Sequence, residues 1–279
     1  MTEERRVGTV AALRRYPVKS MLGEELAACD VGPRGLAGDR VLALVHRETS
    51  KVASAKNPRT WRGLLKLAAS GEPAVKVAFP DGTVMASTDP GIDAALSRFL
   101  GQPVTLTAVP PPGAVLDRAD PEQVLRDGIR TRVRVETGQL GGAAPAGTFF
   151  DFAPLHLLTT STLDRIAGLH PRGTAELERY RPNIVIQTTD PGFPENDWVG
   201  RDLRIGSDLT IRVIARTPRC AIPTLEHGRL PRDPDALRVP ATHNRISPLD
   251  DVGPQPCAGA YAQVLRPGRI QVGDLACLA

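Results

Sequence analysis

The chain of 279 residues is poor in lysine, in aromatic rings and in clustered cysteines. No apolar run approaches the ~18 residues that a membrane-spanning helix needs, which excludes such a helix and makes a membrane an unexpected partner. The charged opening M-T-E-E-R-R-V lacks the apolar segment of a secretory signal, so the expected location is cytoplasmic. Aromatic residues make up 4% of the chain, too few to offer a stacking platform for bases, and no basic run forms a stripe. Nucleic acid is therefore not an expected partner. Cys29, Cys220, Cys257 and Cys277 lie far apart and form no C-x-x-C. That spacing argues against a thiol–disulfide motif, a zinc ribbon or a local iron–sulfur cluster. In a cytosolic chain the four thiols are expected to be reduced.

Only five of the 35 basic residues are lysine, and the rest are arginine. Arginine offers a planar fork suited to phosphate and carboxylate, but a GC-rich coding sequence accounts for most of this bias. Glycine and proline, 26 of each, punctuate short apolar runs. Strands are expected at Val7–Arg14, Glu25–Val31, Arg40–His46, Ala74–Phe79, Val104–Ala108, Asn183–Thr188, Leu209–Arg216, Gly259–Leu265 and Arg269–Val272. Helices are expected at Asp89–Leu100, Thr160–Leu169 and Thr174–Tyr180. The fold class is mainly β with a few helices (α+β), and barrels or sandwiches fit the pattern. The length suits one large unit or two joined ones. The stretch 110–147 holds P-P-P-G, a charged segment and G-G-A-A-P-A-G. It reads as a mobile connection or insertion between an N-terminal part, 1–110, and a C-terminal part, 111–279.

Four segments carry candidate chemistry. R-Y-P-V-K-S (15–20) leaves the first strand at a proline, and Lys19 and Ser20 then offer an ammonium and a hydroxyl to a phosphate oxygen. G-L-A-G-D-R (35–40) turns sharply into Arg40. R-Y-R-P-N (179–183) fixes Arg181 and Asn183 on either side of a proline. T-P-R-C-A-I-P-T (217–224) puts Arg219 beside Cys220, where a cation favours the thiolate, the reactive and metal-ligating form. Each segment also has a plain structural reading: a solvated loop lysine, a hairpin turn, a basic cluster at a helix end, an inert buried cysteine.

The order of these pieces resembles the MOSC family (molybdenum cofactor sulfurase C-terminal domain). Y-P-V-K-S, G-D-R, R-P-N-I-V-I, W-x-G-x-x-L-x-I-G, R-C-x-x-P-T, G-x-Y-x-x-V and G-x-I-x-V-G-D follow one another along nearly the whole chain. The likeness is to the two-part members that begin with a MOSC-type β-barrel domain, including the amidoxime-reducing ones. It implies a β-barrel MOSC domain joined to an N-terminal β-rich domain, with a molybdenum–molybdopterin cofactor between them. It implies Cys220 as the molybdenum ligand and catalytic centre. It assigns Lys19, Ser20, Arg40, Ser161, Arg181, Asn183, Arg219 and Thr224 to the cofactor. The implied activity is reduction of small N-hydroxylated compounds (amidoximes, hydroxylamines, N-oxides). Electrons would come from a separate flavin, haem or ferredoxin-type protein. A carrier or persulfide sulfur-transfer role, without turnover, is the rival. Pro218 departs from the serine of the amidoxime-reducing members. His156, His227, His243 and Asp151 are the candidates for a general acid, with His156 reading as structural in its apolar segment.

Overall fold

A computed structural model describes residues 5–279. Its centre is a closed barrel. The strands are β1 (Arg5–Arg15), β2 (Leu155–Thr159), β3 (Ile184–Gln187), β4 (Asp202–Ile205), β5 (Leu209–Pro218), β6 (Gln255–Arg266) and β7 (Leu275–Leu278). Around the barrel the order is β2, β3, β1, β7, β4, β5, β6, and β6 pairs back onto β2. β2 and β3 run parallel, so they need a crossover, and the helices Thr160–Leu169 and Leu177–Tyr180 supply it. The other neighbours are antiparallel.

Alternation explains the inner face. In β5, Leu209, Ile211, Val213 and Ala215 are buried, while Arg212 between them is exposed. Leu209, Ile211 and Val213 meet Leu13, Leu157, Ile184, Trp198 and Leu203 in one core. β6 crosses close to β2 at Gly259, where any Cβ would lie 2.3 Å from the His156 ring and 2.4 Å from the Leu157 carbonyl oxygen. Glycine is therefore required there.

A second core belongs to the N-terminal part alone. Val18, Met21, Leu44, Trp61, Leu64 and Leu96 pack among the sheet Ala68–Ser70, Lys76–Ala78, Val84–Ala86 and the helix Ile92–Leu100. Yet β1 sits between β3 and β7, in the barrel built by the C-terminal part. Ala28–Gly32 likewise pairs with Gly268–Gln271. The two parts are thus stitched together by sheet hydrogen bonds.

The stretch 110–147, expected as a connection or insertion, contains secondary structure. Val115–Ala119 pairs with Val135–Gln139, and between them runs the helix Pro121–Asp127, capped by Asp120. Its second strand is exposed at all five positions, so it carries no alternating pattern to read. Ile129 packs against the cluster of Ala55, Leu65, Ile222 and Leu225 on which Cys220 also packs, which makes the segment a wall beside the cysteine turn. β2, β4 and β7 were not among the expected strands. β2 is buried at every position and so does not alternate, and the other two have four residues each. Among the described residues no helix is long and apolar enough to cross a membrane.

Leu13 lies in β1 and is fully buried in the barrel core. Leu13→Ala should cost about 2–5 kcal/mol of stability, read as a lower urea midpoint with an unchanged slope.

Candidate functional site

The barrel strands and the N-terminal loops converge on a small, deep pocket of about 80 Å³. Lys19, Ser20, Arg40, Arg181, Asn183, Arg219 and Cys220 all border it. These come from segments up to 201 positions apart, as the span from Lys19 to Cys220 shows. A second cavity of about 550 Å³ shares Lys56, Asp151, Pro218, Arg219, Cys220 and Tyr261 with it. Cys220 therefore stands where the tight pocket opens into the wide one.

The local backbone is unusual at these positions. Among the described residues, four other than glycine have a left-handed φ: Ser20 (64°), Arg40 (48°), Ser50 (56°) and Arg181 (56°). Three of the four border the pocket. Left-handed backbone is disfavoured for side-chain-bearing residues and is retained where the surroundings over-determine it. Arg181 ends the helix Leu177–Tyr180, where such a cap is common. β5 slips its register against β6 between Arg216 and Pro218, just before Cys220. Bulges of this kind re-aim side chains beside sites.

Asp39 and Asn183 hold the pocket together. Asp39 Oδ1 accepts from the Tyr16 backbone N–H at 2.7 Å. Its Oδ2 accepts from Arg40 Nη1 and, at 3.0 Å, from Asn183 Nδ2. Asn183 Oδ1 accepts from Arg40 Nη1 at 3.1 Å and from the His156 N–H at 3.2 Å. The guanidinium groups of Arg181 and Arg40 stack on Tyr16, 4.3 Å and 4.6 Å from the ring centre. On the other wall Asp151 Oδ1 accepts from Lys19 Nζ at 2.8 Å and pairs with Lys56 Nζ at 3.0 Å. Lys19 also donates to the Phe149 carbonyl at 2.7 Å.

Five cations (Lys19, Lys56, Arg40, Arg181, Arg219) thus face two carboxylates, Asp39 and Asp151. Among the residues bordering this pocket, two buried donors have no partner: Arg181 Nη1 and Arg219 Nε. Burial pulls Lys19 down to about 8 despite Asp151. Burial, with Arg40 nearby, lowers Arg181 to about 10. Burial would raise Asp151, but Lys19 and Lys56 reverse this and hold it well below the usual carboxylate range. The pocket is short of negative charge and has donors waiting for an anion.

The other expected residues lie elsewhere or face inward. Ser161 Oγ shares a hydrogen bond with Thr188 Oγ1 at 2.7 Å, and Thr224 Oγ1 donates to the Ala221 carbonyl at 2.8 Å. Neither borders the pocket. The helix opening at Thr160 already has an acceptor: the buried Glu195 carboxyl, whose pKa burial raises, accepts from the Thr159 and Thr162 hydroxyls at 2.7 Å. His156 borders the pocket, but burial pushes it down to about 3, and its nitrogens approach the Arg181 and Ala258 carbonyls. His227 is pushed down to about 3 by burial as well, and His243 is exposed; neither borders the pocket. Of the four cysteines, Cys220 alone borders it. Cys29 and Cys257 are buried, and burial raises both thiols, Cys257 to about 12.

Sequence reasoning missed Lys56, Tyr261 and Arg179. Lys56 sits in S-A-K-N-P with no motif around it. Tyr261 belongs to G-x-Y-x-x-V and borders both cavities. Arg179 opens R-Y-R-P-N and is fully buried behind the cysteine turn. It pairs with Glu176 at 2.8 Å and donates to the carbonyls of Pro223 (3.3 Å), Leu225 (3.0 Å) and Pro231 (2.9 Å). The turn after Cys220 is thereby bolted to the helix before Arg181.

The class is a closed β-barrel protein with a half-buried cysteine at the mouth of a cationic pocket. The MOSC domain matches residues 145–275, and the MOSC N-terminal beta barrel domain matches residues 7–96. The chain belongs to the MOSC family, which is associated with molybdenum-cofactor binding. It is 24% identical over 302 residues to human Mitochondrial amidoxime-reducing component 1, covering 96% of this chain and 82% of that one. Among solved structures, the YUAD protein from Bacillus subtilis is 11% identical with a TM-score of 0.48, covering 99% of this chain and 98% of that chain. YiiM from Geobacillus stearothermophilus is 16% identical with a TM-score of 0.33, covering 46% of this chain and 54% of that chain.

Two predictions test this geometry. Arg179→Met leaves Glu176 and the carbonyls of Pro223, Leu225 and Pro231 without their donor, and should cost about 3–5 kcal/mol, seen as a lower melting temperature. Lys19 has a folded pKa of about 8 against 10.5 for the free side chain. Folding thus disfavours its charge, so its burial penalty is fully present below about pH 8 and is relieved as pH rises towards 10.5. Anion binding has the opposite sign. Inorganic phosphate affinity, read by titration calorimetry, should fall as pH rises through about 8, and Lys19→Gln should flatten that step.

Proposed function

We propose that the protein binds a molybdopterin-type cofactor at this pocket and uses it to reduce N-hydroxylated compounds such as amidoximes, hydroxylamines and N-oxides. The observation that carries the reading is Cys220, a half-buried thiol at the junction of a cation-rich pocket and a wide cavity. The residues present fit the group. A thiolate is a suitable soft donor for the metal. The partnerless Arg181 Nη1 and Arg219 Nε suit a buried phosphate or pterin oxygen.

Lys19, Ser20, Arg40, Arg181 and Arg219 would hold the phosphate and pterin, with Cys220 as the metal ligand. Asn183 acts by fixing Arg40 and Asp39, and Ser161 and Thr224 brace the turns around the pocket. When bound, the cofactor supplies the acceptor for the N–OH oxygen, with two electrons drawn from a separate flavin, haem or ferredoxin-type protein. The chain's own task is to orient the substrate and to keep protons available. Asp151 is held anionic and His156 neutral, so neither offers a proton at neutral pH. Tyr261, raised to about 12 by burial, keeps its proton and borders both cavities. Lys19 is the second proton-bearing group there.

Protein made in a molybdenum-sufficient host should contain molybdenum and pterin and should reduce benzamidoxime with an artificial electron donor. Cys220→Ser should lose more than ~100-fold in metal affinity, a larger effect than loss of an outer partner of a ligand. Wild-type protein free of molybdenum despite supply would refute the proposal. Bound cofactor without reduction of any N-hydroxy compound would instead point to a carrier or sulfur-transfer role.

A further inference from the structure

The wide cavity beyond Cys220 has a charge pattern of its own. Its carboxylates are Asp120, Glu122, Glu136 and Asp151. Asp151 pairs with Lys19 and Lys56, Glu122 with Arg245, and Glu136 with Arg134. Asp120 caps its helix, accepting from the N–H groups of Glu122 and Gln123 at 2.9 Å and 3.1 Å. The acids are therefore engaged. Three arginines bordering the cavity, Arg118, Arg216 and Arg219, make no ion pair with a carboxylate among the described residues. Arg216 is half-buried on β5, four positions before Cys220. Its Nη1 donates to the Ser247 carbonyl at 3.2 Å, and its buried Nε has no partner. Arg118 projects from the wall formed by 115–139 and is close enough to Asp151 and Tyr261 to help lower both.

The rest of the lining is largely apolar. Phe152, Pro248, Leu249, Val252, Pro254 and Pro256 form a wall with few donors or acceptors. The volume, about 550 Å³, is that of a small-molecule site rather than of a water-filled gap. Apolar wall and free cations in one cavity ask for a ligand with an apolar body and an anionic end.

We propose that this cavity selects substrates that carry a carboxylate or phosphate, with Arg118 and Arg216 gripping the anionic end while the apolar body lies on the proline-rich wall. The assignment rests on the reading of Cys220 as the reaction centre: the N–OH end then faces Cys220. Arg118 and Arg216 are specificity-determining residues, and Arg219 is left to the pocket it also borders.

The test is equilibrium binding to the isolated holoprotein. Benzamidoxime and its 4-carboxylate analogue are titrated into wild type, Arg118→Gln, Arg216→Gln and the double variant. Wild type should bind the carboxylate about tenfold more tightly, as a charge-assisted pair predicts. Added salt should shrink that preference, and the double variant should bring the ratio of affinities close to one. Arg118 is exposed, so its variant keeps the measurement open if Arg216→Gln fails to fold. Equal affinities in wild type, or a preference that survives in the double variant, would overturn the inference. So would loss of bound molybdenum and pterin from the arginine variants, because the cations would then serve the cofactor. Benzamidoxime turnover is read separately. A preference for the carboxylate without any turnover would sink the reductase reading and leave the anion-selective cavity standing.

Discussion

The contact on which the site depends is the buried bond between Asp39 and Asn183. Through five polar contacts this pair joins the end of β1, the G-D-R turn, the start of β2 and the R-P-N turn. No two of those segments are sequence neighbours: Tyr16 and Asp39 are 23 positions apart, and His156 and Asn183 are 27. Removing either partner would strand a buried polar group, at a cost of ~1–3 kcal/mol or more for a charged one. The energetic weight is thus concentrated where two parts of the chain meet. A pocket made this way cannot be preserved by one part alone.

The same junction explains the charge. Bringing Arg40, Arg181 and Arg219 together underground is unfavourable, and Tyr16 and Asp39 offset only part of it. Burial first, and neighbouring cations after it, lower both Lys19 and Arg181. Left-handed backbone at Ser20, Arg40 and Arg181 adds local strain. Sites that retain both unbalanced charge and backbone strain are commonly shaped for a ligand rather than for stability.

Much of this could be read from the chain because the relevant residues sit beside proline or glycine at strand ends. Pro17, Gly38 and Pro182 announce turns, and the cations next to them are the ones that converge. The long, alternating β1 and β5 were legible for the same reason: one face is buried and the other is not. β2 was not, since burial on both sides erases the alternation. Lys56 and Arg118 were invisible because their role depends on which wall folds over which turn. One signal was available: in a chain that uses arginine almost everywhere, both Lys19 and Lys56 are lysines, and both are buried. A compact ammonium fits between Asp151 and a carbonyl where a guanidinium fork would not.

The position of β1 between β3 and β7 has a consequence for how the protein is made. Among the described elements this strand is made first, while one of its two barrel partners, β7, is made last. During synthesis Leu13–Arg15 can pair at once with Glu24–Leu26, but the rest of β1 must wait with its hydrogen-bonding edges unpaired. The N-terminal core around Leu44 and Trp61 needs no later residue and can form meanwhile. Barrel closure is then a late, long-range event, slow by its topology. The cysteine turn acquires its surroundings at that same moment, so a ligand arriving earlier would find no pocket to enter.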